Sequence, residues 1–155
     1  MAIKDRIRDF YNRFLSLSGA PEEIARAMSL GVFIGATPTI PFHTALVMVS
    51  CLLFRQNITA AILGATIVSN PLTIPFLYFA EYELGVALLG MSANPFTVAG
   101  YDIQSILEIG VHILYPLQVG GLLLAVACAV PSYFLTRHAV TRMRTRHAEP
   151  VEPSP

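Results

Sequence analysis

Long apolar stretches, punctuated by prolines rather than by charges, dominate this chain. Uncharged stretches run from Ala27 to Phe54, from Gln56 to Ala80 and from Ile109 to Thr136, with His43 and His112 inside the first and last. Each exceeds the roughly 20 apolar residues that cross a bilayer as a helix. Ahead of them, Ile3, Ile7, Phe10, Phe14 and Leu17 recur at helical spacing, and Lys4, Arg6, Arg8 and Arg13 lie off that stripe. Residues 1–18 are therefore expected to form an amphipathic helix. It lies either in the membrane surface or docked on the protein itself.

The first apolar stretch is expected to fold as two half-helices. Pro21 suits a first helical turn, and Glu22 and Glu23 complement the helix dipole there. That helix runs to about Ala36 and carries Gly31-x-x-x-Gly35, which permits close backbone approach to a neighbour. Thr37-Pro38-Thr39-Ile40-Pro41 then removes two donors and disfavours helix before each proline. A second half-helix spans about 42–54, up to Arg55-Gln56-Asn57. The event recurs: 58–69 is apolar, Asn70-Pro71-Leu72-Thr73-Ile74-Pro75 breaks it, and 76–90 resumes. Thr39-Ile40-Pro41-Phe42 reappears as Thr73-Ile74-Pro75-Phe76. The pattern predicts an all-α integral membrane protein with proline-broken, re-entrant helix pairs in a two-unit internal repeat, about 21–54 and 58–90. A final span covers about 109–136 and closes the membrane domain of 19–136. Residues 137–155 are expected to be a basic, then disordered, cytoplasmic tail.

Composition sharpens this picture. Of the 155 residues, 54% are hydrophobic and 13% charged, and the mean hydropathy is +0.60. A soluble domain carries roughly 25% charged residues. All ten basic residues lie at or before Arg55 or at or after Arg137. The positive-inside rule then places both termini in the cytoplasm and the acidic 81–108 region outside. Glu81 and Glu83, two residues apart, read as boundary residues on that outer side. With 21–54 as a hairpin, 58–80 is the crossing segment; a broken second unit conflicts with that, and its path stays open. Zero net charge argues against nucleic acid as a partner. Cys51 and Cys128 lack CxxC or His spacing, so no metal site is expected.

Chemistry has few places to sit. Thr37 before Pro38 and Asn70 before Pro71 can each be an N-cap followed by proline at the first helical position. Two half-helix N-termini inside apolar sequence favour an anion. Thr37, Thr39, Asn70 and Thr73 are the expected polar contacts, and Arg55 attracts the anion. His43, just after the first break, is a further candidate as an intramembrane histidine. The alternative is that the breaks pack on each other and bind nothing. No nucleophile–base pair, phosphate loop or metal cluster is present, so the chain is read as a non-enzyme without a cofactor.

The stretch from Pro21 to Gly90, with Gly31-Val32-Phe33-Ile34-Gly35, Arg55-Gln56-Asn57, Asn70-Pro71-Leu72-Thr73 and Leu84-Gly85, resembles the bacterial domain-of-unknown-function family 2062. The resemblance implies a short helical protein of the bacterial inner membrane. It adds Asn57 to the candidates and gives Arg55, Asn70, Pro71 and Thr73 as positions to test. Similar domains fused to glycosyltransferases imply envelope or lipid-linked sugar work. The leading expectation is binding or translocation of an anionic small molecule or lipid phosphate, such as a polyprenyl phosphate. The alternatives are a structural subunit of a larger membrane complex and an accessory to envelope glycosyltransfer. A chain with so few spans is expected to self-associate if it encloses a pathway.

Overall fold

The computed structural model describes residues 17, 19–39, 42–91 and 103–148, with side chains over 110–145 in the last stretch. The expected amphipathic helix of 1–18, apart from Leu17 and the turn it leads into, lies outside the described residues, as do the 92–102 loop and the 149–155 tail. Among the described residues the fold is all-helical. Its five helices are α1 (Pro21–Gly35), α2 (His43–Leu53), α3 (Ile58–Val68), α4 (Ile74–Leu89) and α5 (Ile103–Ala148).

Local chemistry sets most of the ends. Pro21 sits in the first turn of α1, and the Glu23 carboxylate accepts the Ala20 N–H at 3.1 Å. This meets one of the orphan donors at a helix start. The α2–α3 connection is a tight turn. Arg55 takes the left-handed conformation at φ 51°, and the Gln56 N–H returns to the Cys51 carbonyl at 2.9 Å. Asn57 then caps α3, its Oδ1 accepting the Ala60 N–H at 3.1 Å. Gly90, at φ 62°, closes α4 in the conformation that glycine adopts without strain.

Helix α5 runs 46 residues through Pro116 and Pro131, about 69 Å at the usual rise. It does not stop near 136: Arg137, Arg142 and Arg144 continue the helix to Ala148. The expected basic tail is helical over those residues, because arginine is a good helix former and no breaker intervenes.

Small residues hold the bundle together. A Cβ on Gly31 would lie 1.9 Å from the Ala61 carbonyl oxygen, and one on Gly64 would lie 2.3 Å from that of Met28. Helices α1 and α3 therefore cross in backbone contact, as the Gly31/Gly35 spacing allows. Val47 and Cys51 of α2 join Ile24, Ala27 and Met28 of α1 in the core, so α1 and α2 form a hairpin. Helix α5 runs antiparallel to α1. Ser29 Oγ donates to the Ala129 carbonyl at 2.8 Å, and further along Arg137 pairs with Glu22 at 2.9 Å. On its other side α5 meets α4, again antiparallel, at Gly85/Pro116 and Glu81/Gly120.

The two helix–break–helix units differ. Phe42 precedes α2 as its N-cap, whereas Phe76 is the third residue of α4. The first unit folds back on itself, while α4 leaves α3 and packs along α5. The matching residues thus occupy different registers in the two turns.

Small residues fill much of the core, and many large apolar side chains lie at the surface. Alanines at 25, 27, 36, 60, 61 and 125 are fully enclosed, while Leu53, Leu72 and Phe76 are each more than 70% exposed. The stretch Gly110–Thr145 of α5 holds a window of mean hydropathy 2.0 that is only 33% buried, and it is long enough to cross a membrane.

Candidate functional site

The first break begins as α1 unwinds. Thr37 Oγ1 donates to the Ile34 carbonyl at 2.7 Å, and the Thr37 N–H reaches the same oxygen at 3.2 Å. Thr37 therefore closes the end of α1. It is not the N-cap of the next helix, which starts six residues later, after Phe42. Thr39 Oγ1 donates to the Thr37 carbonyl at 3.4 Å, and the Thr39 carbonyl accepts the Phe42 N–H at 2.7 Å. The Pro38 carbonyl accepts Gln118 Nε2 of α5 at 3.2 Å. This bond ties the break to the long helix.

A carboxyl group lies against that junction. Glu81 of α4 is 0% exposed, and neither carboxyl oxygen has a hydrogen-bond partner among the described residues. Glycines on α5 make the space. A Cβ on Gly120 would lie 1.8 Å from the Glu81 carbonyl oxygen. A Cβ on Gly121 would lie 2.6 Å from Pro38 Cδ and 3.3 Å from Glu81 Cδ. The break, the acid and the two glycines thus form one cluster where α1 ends and α4 meets α5. Burying an ionised carboxylate without a partner is among the costliest acts in a protein interior. The group can hold a proton, or it can meet a cation.

The second break is closed upon itself. Asn70 Oδ1 accepts the Leu72 and Thr73 N–H groups at 3.0 and 3.1 Å, and its Nδ2 donates to the Ile67 carbonyl at 3.2 Å. Thr73 Oγ1 donates to the Val68 carbonyl and lies 3.1 Å from that of Asn70. Asn70 acts as the expected cap of this turn, although the regular helix begins at Ile74.

The seven expected contact residues divide into three groups. Thr37, Thr39 and the start of α2 at His43 belong to the first break. His43 Nδ1 is buried without a partner among the described residues. Asn70 and Thr73 bond within the second break. Arg55 and Asn57 lie at the opposite end of α2 from the first break, about 16 Å away by helix rise. There the left-handed Arg55 and the capping Asn57 have a structural task of their own in the turn.

Sequence reasoning placed Glu81 at an outer boundary; its complete burial corrects that reading, while Glu83 is exposed as expected. The signal was spacing. Glu81 and Gly85 stand at i and i+4 on one face of α4, so the acid shares the small-residue face that packs on α5.

Among the described residues, an all-helical fold with one helix of membrane-crossing length and a buried acid without a hydrogen-bond partner beside a helix break is the class that fold and cluster define. The chain belongs to the bacterial family described as "Uncharacterized protein conserved in bacteria (DUF2062)", whose pattern matches residues 4–149. This bears out the resemblance carried by the glycine, Arg-Gln-Asn and Asn-Pro motifs. No curated protein and no solved structure matches it.

Proposed function

We propose that this chain is a multi-pass protein of the bacterial inner membrane, with both basic ends cytoplasmic, that binds or moves a small ionic solute at the first proline break. Supporting the membrane reading, large apolar side chains face outward on α2, α4 and α5, while alanine and glycine fill the contacts between helices. That is how helices pack in lipid, where burying leucine against leucine gains little over leaving it against lipid tails.

The observation that carries the solute site is Glu81, fully buried and unpaired beside Pro38. An ionisable group inside a membrane domain is expensive and marks ion or substrate paths. No basic residue lies between Arg55 and Arg137 to balance it. The electrostatics there favour a cation over the anion expected from the break pattern. One observation keeps the anion as a second reading: α2 starts without a side-chain cap. An anion at that start requires Glu81 to carry its proton.

A thermal-stability screen of the purified protein against alkali, ammonium and phosphate salts tests the proposal. A ligand at a hundredfold its dissociation constant adds about 2.7 kcal/mol. Wild type is expected to be stabilised by one ion class in a saturable way, and Glu81→Gln is not. An equal saturable phosphate response of the two proteins would favour the anion reading, and no saturable response to any ion would remove the solute site. Release of the chain from membranes by a carbonate wash would remove the membrane reading.

A further inference from the structure

We propose that Glu81 is an exchange site at which one proton and one small monovalent cation replace each other. This rests on the solute-binding reading above. Glu81 has no exposure and, among the described residues, no protein partner for either oxygen. The segments that face it add no charge. Residues 116–125 of α5 and 36–39 of the break contain no titratable or charged side chain. On α4 itself Tyr78 lies one turn earlier, Tyr82 is adjacent, and Glu83 is exposed. His43 follows the break.

With no fixed positive charge beside it among the described residues, the carboxylate requires a mobile one. A proton meets that need, and so does a monovalent cation; one for one, the centre stays neutral in both states. The balance is simple. The acid's O–H bond breaks, the proton leaves to water, and the cation takes its place beside the carboxylate. The Pro38 ring borders the Gly121 position, and the Pro38 carbonyl is engaged by Gln118 Nε2. A divalent ion would leave one uncompensated positive charge and is excluded on that ground. Gly121 lets the Pro38 ring and the Glu81 carboxyl come close to α5, where a Cβ would lie 2.6 Å from Pro38 Cδ and 3.3 Å from Glu81 Cδ.

Proton release is the direct readout. Purified protein in weakly buffered detergent solution, with a pH indicator, receives sodium, potassium or ammonium chloride. Wild type and Glu83→Gln are expected to release about one proton per chain on saturation. Apparent affinity should fall about tenfold per unit of falling pH once the acid is protonated, as for one competing proton. Glu81→Gln releases none.

A second measurement does not depend on how Glu81→Gln folds. A hydrophobic carbodiimide adds as a whole molecule to a protonated carboxyl in apolar surroundings. One adduct at Glu81 is expected on wild type, and saturating cation should slow its formation at least several-fold.

Cation binding without proton release would overturn the exchange and leave the solute site standing. Phosphate binding with proton uptake would overturn the exchange in favour of an anion. Absence of binding by any ion would overturn both readings.

Discussion

Gly120→Ala adds one methyl group at the point where α4 and α5 touch, and its effect can be worked from the contact itself. The new Cβ would sit 1.8 Å from the Glu81 carbonyl oxygen and 2.7 Å from the Gly85 nitrogen. Both are backbone atoms, so no side chain can swing aside. Ordinary carbon–oxygen contact requires the helices to part by about 1.5 Å, and overpacking of this kind costs about 1–3 kcal/mol. Alanine also gains about 1 kcal/mol of helix propensity over glycine, which offsets part of that. Gly110→Ala serves as the reference, because nothing lies within 4 Å of a Cβ there. In denaturant unfolding in mixed micelles Gly110→Ala is expected to gain up to about 1 kcal/mol, and Gly120→Ala to fall below it, by up to about 2 kcal/mol relative to wild type. Parting the helices also uncovers the Glu81 carboxyl, so water-soluble carbodiimide should reach it in Gly120→Ala and not in wild type. Equal stability and equal labelling of the two variants would refute the close α4–α5 contact.

Further predictions follow from single contacts. Glu81→Met, similar in length and without polar atoms, is expected to raise stability by about 1–2 kcal/mol while abolishing ion binding, since removing an unpaired buried acid relieves strain that serves function; thermal unfolding measures it. Asn70→Ala frees two N–H groups of the second break and should cost about 1 kcal/mol in the same assay, without loss of ion binding. Ser29→Ala removes the bond to Ala129 between α1 and α5 and is expected to cost about 0.6 kcal/mol. Arg137→Ala breaks a pair in which both side chains are about half exposed, and its effect should stay below about 1 kcal/mol and vanish at high salt.

The helices and their ends were legible because their punctuation is local. Proline at 38 and 71, the polar punctuation of Arg55-Gln56-Asn57, the capping Asn70 and the acids after Pro21 act within a few residues of their own position. The Gly31/Gly35 spacing likewise announced a close crossing, and α3 occupies it. What the sequence hid depends on distant partners. The Thr39–Phe42 match predicted equal turns, yet the tetrapeptide falls in different helical registers, because Thr37 closes α1 in one case and Asn70 caps the turn in the other. Helix α5 passes 136 since charge marks a change of surroundings and not a change of backbone. Glu81 looked like a surface acid beside Glu83. Its burial is decided by Gly120 and Gly121, nearly forty residues away, whose missing side chains let α4 turn that face inward.

The most direct test of the central claim, that Glu81 is the ligand of a membrane-buried ion site, is calorimetric titration of the protein in lipid nanodiscs with monovalent cations, wild type beside Glu81→Gln. Saturable binding of one ion per chain in wild type, lost in Glu81→Gln while its helical circular dichroism is retained, is the predicted result. Identical titrations of the two proteins, or heats in wild type no different from empty nanodiscs, would contradict it.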